Sequence, residues 1–208
     1  MQDENKMSNG RMTVETINQL AVEIFEQNRA VGWWDDLDRC QFQTLQLVNT
    51  EIAEATEGDR KGLMDDHLPH RKMAEVELAD TMIRALDIAG RYGWRFSIIL
   101  QANHDMDTSL IKFIQMVTSS STMAVKLLGL TGINCLMASR LWGHQVHSMG
   151  PRVLLKPVEY DYLIDMCRRV AEAYHFDLES AIREKLAYNA KRADHKRENR
   201  AQSGGKSY

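Results

Sequence analysis

EIAEATEGDRKGLMDDHLPHRKMAEVELAD, residues 51–80, carries two acid pairs, Glu51/Glu54 and Glu77/Asp80, each spaced i, i+3. That spacing puts both members of a pair on one face of a helix. Upstream, Leu45, Val48, Ile52 and Ala55 form an apolar row at helical spacing, predicting a helix from about Cys40 to Glu57. Downstream, Val76, Ala79, Ile83, Leu86 and Ala89 predict a second one over roughly Lys72 to Tyr92. Between them, Gly58 to Arg71 holds two glycines, a proline and many charges, and reads as a solvated connection.

The same periodicity extends in both directions. Ile17, Leu20, Ala21, Ile24 and Phe25 predict an amphipathic helix from Thr13 to Asn28, ending near Gly32 with Trp33-Trp34-Asp35-Asp36 in a loop or turn. Leu110 to Leu128 and Ile133 to Val146 read as apolar helices broken by Gly129 and Gly132, followed by a linker at Pro151 to Pro157. Tyr162, Leu163, Met166, Val170 and Ala173 give a helix over Val158 to Tyr174, and Asp177 can cap a last helix from Leu178 to about His195. No segment reads as a strand, so the expected class is all-α. Residues 1–12 and the tail 201–208 are expected to be flexible. RYGWRFSIIL at 91–100 echoes AYHFDLESAI at 173–182 in its aromatic and apolar placement.

Composition narrows the function. With 44% hydrophobic and 26% charged residues among 208, the chain is ordinary for a globular protein, and a net charge of −3 gives no basic field for nucleic acid. Three scattered cysteines, Cys40, Cys135 and Cys167, form no CxxC; with no signal peptide evident, they fit a reducing cytoplasm. Cys40 and Cys167 lie in amphipathic helices and read as core thiols. The most apolar run, LLGLTGINCLMA at 127–138, is too short to span a bilayer, so no membrane partner is expected.

Either acid pair alone would be a solvated helix face. Glu77, Asp80, Arg84 and Asp87, however, fall in one polar sector of a helix that is otherwise apolar and hence enclosed on most sides. Glu51 borders Val48 and Ala55, near the edge of a buried face. Laid antiparallel, the two helices can face their acids toward each other. Four partly buried carboxylates need a counter-ion, because desolvation and repulsion would otherwise raise their pKa values. A hard divalent cation meets that need: Mg2+, with Mn2+ as a substitute, takes carboxylate oxygens and completes its shell with water and substrate phosphates. A di-iron bundle would require Glu-x-x-His twice, and the chain has it once, at Glu172/His175.

Near the C-terminus, Lys185, Asn189, Arg192 and Lys196 recur at i, i+4, i+7 and i+11, one stripe of a helix. Alone this is a solvated basic end. Opposite a metal–carboxylate site it can neutralise a polyphosphate and hydrogen-bond it. Trp33 and Trp34 are candidates for stacking on a nucleobase or for packing against the first helix. His67 and His70 sit in the connection at the mouth of the site, and His144/His147 read as ordinary helix residues.

Glu51-x-x-Glu54, a spacer of 22 residues (55–76) and Glu77-x-x-Asp80 resemble the split acidic motif of the all-α NTP pyrophosphatases, the superfamily of MazG, the dimeric dUTPases and the dCTP pyrophosphatases. GWWDD at 32–36, DDHLPHR at 65–71 and KLAYNAKRADHKRENR at 185–200 are similar to MazG-like proteins of bacteriophages. The resemblance implies a catalytic bundle from 13–93 and 176–200, with 94–175 as a helical insertion that short relatives lack. It further implies Mg2+-dependent cleavage of a nucleoside triphosphate, dGTP among the candidates, to the monophosphate and pyrophosphate. Glu51, Glu54, Glu77 and Asp80 would ligate the metal, and one of them would take a proton from the attacking water. Lys185, Asn189 and Arg192 would hold the phosphates, and the protein would be a homo-oligomer. A non-catalytic nucleotide-binding or regulatory module is the alternative.

Overall fold

A computed structural model of the chain describes residues 12–36, 40–97, 108–147 and 156–192; of 108–111 and 144–147 it describes only the backbone. The described residues form seven α-helices: α1 Val14–Ala30, α2 Gln41–Lys61, α3 Met73–Tyr92, α4 Thr108–Ser119, α5 Met123–His147, α6 Val158–Tyr174 and α7 Leu178–Asn189. Among them there is no strand, only an isolated bridge between Met64 and Lys72. The fold is all-α.

α3 is the hub. It packs against α1, α2, α6 and α7, and so is buried on nearly every side. α2 and α3 run antiparallel: Gly58 meets Met73, Glu51 meets Arg84, and Tyr92 Oη approaches Gln41 Oε1, so residues ascending along α2 meet residues descending along α3. The same small-residue logic brings α1 onto α3, where a Cβ on Gly90 would stand 2.3 Å from the Ala21 carbonyl. Ile17, Leu20 and Ile24 of α1 join Val48 and Ile52 of α2, Met82 and Leu86 of α3 and Ile182 of α7 in one core. The 94–175 segment shares it, because α5 lies on α2 and α6 on α3. Asn134 of α5 fixes the first contact by donating to the Leu45 carbonyl and to Asn49 Oδ1, at 2.9 and 3.0 Å.

Several expectations need correction. Gly129 and Gly132 do not break a helix; α5 runs through both. Their missing side chains make room for α4: a Cβ at Gly129 would meet Val117 at 2.7 Å, and one at Gly132 would meet Phe113 at 2.8 Å. The break instead falls at Ser120–Thr122, where the Ser120 hydroxyl accepts from the Thr122 amide, a local bond that competes with helix. Cys40 is exposed at the N-cap of α2, outside the core, whereas Cys167 is fully buried, its thiol pushed up to about 12. Met12, placed with the flexible N-terminus, is buried. α7 stops at Asn189, short of His195, with i+3 bonds from Lys191 and Arg192 tightening its end. Lys196 and the tail 201–208 lie outside the described residues, as do the side chains of His144 and His147 and most of the 151–157 linker.

The echo between 91–100 and 173–182 has a local cause. Both segments stop a helix with a left-handed residue, Gly93 (φ 68) or His175 (φ 56), followed by an aromatic. The amides of Trp94 and Phe176 return to the carbonyls of Ala89 and Ala171, each at 2.9 Å.

Candidate metal and anion site

The antiparallel pairing of α2 with α3 brings the acids together. Carboxylate oxygens of Glu51, Glu77 and Asp80 all lie within 4.8 Å of one another. Glu51 and Glu77 are buried and Asp80 is half-buried. Glu54 projects one turn farther along α2 and is exposed, at the rim of the same cleft.

The electrostatics are unusual at Glu77. Its Oε2 is buried with no hydrogen-bond partner among the described residues. Burial first, then the neighbouring Asp80 charge, raise its pKa to about 9 despite the opposing Lys185. Asp80 rises to about 6, again chiefly through burial, with the Lys185 ammonium pulling the other way. Lys185 Nζ donates to Asp80 Oδ2 at 2.8 Å; burial opposes its charge, but Asp80 and Glu77 outweigh that and hold its pKa above the ordinary value. Arg84 Nε donates to Glu51 Oε1 at 2.9 Å. A buried acceptor without a donor costs free energy comparable to a lost hydrogen bond. A cation coordinated by these oxygens removes that cost, and an all-oxygen donor set suits a hard divalent ion rather than a soft one. The residues therefore fit a hard divalent cation.

The acids line a cleft of about 840 Å3 between α1, α2, α3 and α7. Across it stand Arg183, Lys185, Asn189 and Arg192, with His67 at the margin. The basic stripe thus reaches the acid helices even though α7 ends early. Among the described residues, Asn189 Oδ1 is also buried without a partner. Arg192 lies over the Tyr188 ring, 5.8 Å from its centroid.

The two tryptophans part company. Trp33 lines the cleft, with the Arg84 guanidinium 5.4 Å from its ring centroid. Trp34 does not line it; its indole Nε1 donates to Asp87 at 2.9 Å, and its ring packs on Phe25. Asp87 is therefore no part of the acid cluster, although it shares a helix sector with Glu77 and Asp80.

The 58–71 connection is largely solvent-exposed, as its composition suggests, and it is also anchored. α2 continues to Lys61, Gly62 (φ 63) turns the chain, and Asp65 accepts from the amides of His67 and Leu68 at 2.9 and 2.7 Å. The element is fastened to α7. His67 packs at a tilt against Tyr188, ring centroids 4.6 Å apart. Arg71 donates to Glu75 at 2.6 Å, to Ser180 at 2.8 Å and to Glu184 at 2.7 and 3.1 Å. His70 adds a contact to Glu184 at 2.8 Å. This clamp sets the register of α7, and with it the placement of Lys185 and Asn189. Glu172 and His175 are both exposed, at the end of α6, and take no part.

Several cleft residues went unnoticed in the sequence, Arg183 among them. Glu23, Gln27 and Asn28 look like the solvated side of α1, and Thr50 like a helix-surface hydroxyl. Nothing in their spacing distinguishes a cleft wall from a wet face.

Comparison with known protein families, characterised proteins and solved structures gives no match for this chain. None of the described helices is long and apolar enough to cross a membrane.

Proposed function

We propose that this protein is a Mg2+-dependent nucleoside triphosphate pyrophosphohydrolase, converting a (d)NTP to the monophosphate and pyrophosphate. The observation that carries the reading is Glu77: a buried carboxylate with an unpartnered oxygen, within 4.8 Å of two further acids and facing a cationic wall. A protein that needed these acids only for stability would be expected to give each a donor. The sequence resemblance to MazG-like enzymes supplies the reaction class.

Glu51, Glu77 and Asp80 would hold the cation, with Glu54 as a fourth oxygen donor at the rim. The cation would supply charge neutralisation on the transferring phosphoryl group, the main catalytic need in such chemistry. Arg183, Lys185 and Arg192 bring positive charge to the triphosphate from the opposite wall, and Asn189 offers an amide for hydrogen bonding. Glu54, being exposed, is the carboxylate best placed to take a proton from water and pass it to solvent. Trp33 lines the cleft with the Arg84 guanidinium 5.4 Å from its ring centroid, so that face is taken by Arg84 rather than offered to a base.

The test mixes purified protein and Mg2+ with each common NTP and dNTP and separates the products by anion exchange. Monophosphate and pyrophosphate in equal amounts support the reading, and the relative rates rank the bases. Survival of every triphosphate, with Mn2+ as well as Mg2+, would overturn it in favour of a nucleotide-binding module.

A further inference from the structure

The acid cluster is already served by two of the protein's own cations. Arg84 holds Glu51 and Lys185 holds Asp80, at 2.9 and 2.8 Å, while Glu77 has neither. Two of the three carboxylates that would ligate a divalent ion are thus ion-paired when no metal is bound. A dication held by the same oxygens is brought up against both side chains, and like charges at that range in a partly buried site repel. Metal entry therefore has to loosen the pairs.

The two cations are not equally able to leave. The Lys185 side chain is 5% exposed, whereas that of Arg84 is 29% exposed. Arg84 also borders the cleft and lies over the face of Trp33, which gives a released guanidinium a surface to rest on without leaving for solvent. Around it the cleft is lined by the acids Glu51 and Glu54 from α2 and Glu77 and Asp80 from α3, and by cations from α7, Lys185 among them. Once Glu51 turns to a metal, the strongest new partner for a planar, permanently charged fork is phosphate oxygen.

The geometry points to a linked exchange, in which a divalent cation taking Glu51 displaces Arg84 onto the triphosphate, making Arg84 a substrate-binding residue released by the metal. The inference rests on the acid cluster being the cation site proposed above. It gives the site an order: without metal, Arg84 neutralises a carboxylate and is withheld from the substrate; with metal, the carboxylate and guanidinium each gain a better partner. By linkage, cation and polyphosphate then favour each other's binding.

The two effects of removing Arg84 have opposite signs, which separates exchange from a structural role. Mn2+ alone, titrated by calorimetry and by the spin-resonance signal of the free ion, should bind Arg84→Gln about fivefold more tightly than wild type, since its internal competitor is gone. An α,β-methylene triphosphate analogue at saturating Mg2+ should bind the same variant about tenfold more weakly. Arg84→Lys, the gentler change should Arg84→Gln fold poorly, keeps the charge but not the fork: Mn2+ affinity should stay near wild type while the analogue weakens. Mn2+ binding Arg84→Gln no more tightly than wild type, or analogue affinity unmoved in both variants, overturns the exchange. Wild-type protein that binds no Mn2+ overturns the cation site and the exchange with it. Paired opposite shifts without any nucleotide cleavage would uphold the exchange and remove the pyrophosphohydrolase reading alone.

Discussion

Two partly buried charge clusters sit side by side along α3 and α7 and are built on opposite terms. In the clamp, Glu75 accepts from Arg71 and from the Asp177 amide, at 2.6 and 3.0 Å, while Glu184 takes Arg71, His70 and Ser180. In the cleft, two residues along α3 from Glu75 and one along α7 from Glu184, Glu77 keeps an oxygen with no donor among the described residues and Asp80 shares Lys185 with its neighbours. The pKa directions follow. Hydrogen bonds from Arg71, against some opposing burial, hold Glu184 down to about 2, whereas burial pushes Glu77 up to about 9. Burial of an acid therefore does not mark a site, because Glu75 and Asp87 are as buried as Glu77. What sets Glu77 apart is an oxygen with no donor among the described residues.

The largest expected effect tests the cleft. Glu77→Gln should reduce Mg2+-dependent nucleotide turnover by about 10^3-fold, while urea denaturation shows the metal-free protein no less stable, since a carboxyl group that burial already disfavours as an anion has become a neutral amide. Loss of stability in step with turnover would mean that Glu77 belongs with the structural acids. Next comes the clamp. Arg71→Ala should cost about 3 kcal/mol, read from the same denaturation, because it takes the guanidinium from Glu75 and Glu184 and leaves Glu75 only the Asp177 amide among the bonds described above. Its effect on the nucleotide should be on affinity, through a displaced α7. A smaller cost, about 1–2 kcal/mol, is expected for Trp34→Phe, which takes the indole donor from Asp87; turnover should be unchanged, since neither residue lines the cleft.

The smallest effect is a contrast in pH dependence. Glu77 has a folded pKa above its ordinary 4.5, so the metal-free fold gains from it below 4.5 and loses that gain as pH climbs toward 9. Glu184 has a folded pKa below 4.5, so its contribution is present above 4.5 and is lost as pH falls toward 2. In chelator, Tm should fall by about 3 °C per pH unit between pH 6 and 9, and Glu77→Gln should flatten that slope. At the acid end the wild type and Glu77→Gln should decline together. A slope that survives Glu77→Gln would place the alkaline instability elsewhere.

The sequence made the architecture legible where one period ruled. Val158–Tyr174 matches its expected bounds, and α3 differs by a single residue at its start, because their apolar rows are unbroken and their stops are marked by Gly93 and an aromatic after His175. Periodicity failed where a residue does two jobs. Gly129 and Gly132 can end a helix or admit a neighbour, and only the presence of α4 decides between them. For the site, the i, i+3 acids and the i, i+4, i+7 basic stripe fixed which faces meet, because both spacings are properties of a helix. Asp87 and Trp34 escaped, since a polar residue in the right sector looks the same whether it faces a cleft or a buried indole. The clamp around Arg71 escaped for another reason: it joins residues more than a hundred positions apart, and a glycine- and charge-rich connection gives no sign of being fastened.

The central claim is that the acid cluster is a divalent-cation site kept partly protonated until the ion arrives. Calorimetric titration of Mg2+ into the nucleotide-free protein near pH 7.5, in two buffers of different ionisation enthalpy, measures this directly. With Glu77 at about 9, binding should release about one proton per cation, and Glu77→Gln should lose both the release and most of the affinity. Mg2+ binding that releases no proton and is undiminished in Glu77→Gln, or no binding at all, would contradict the account.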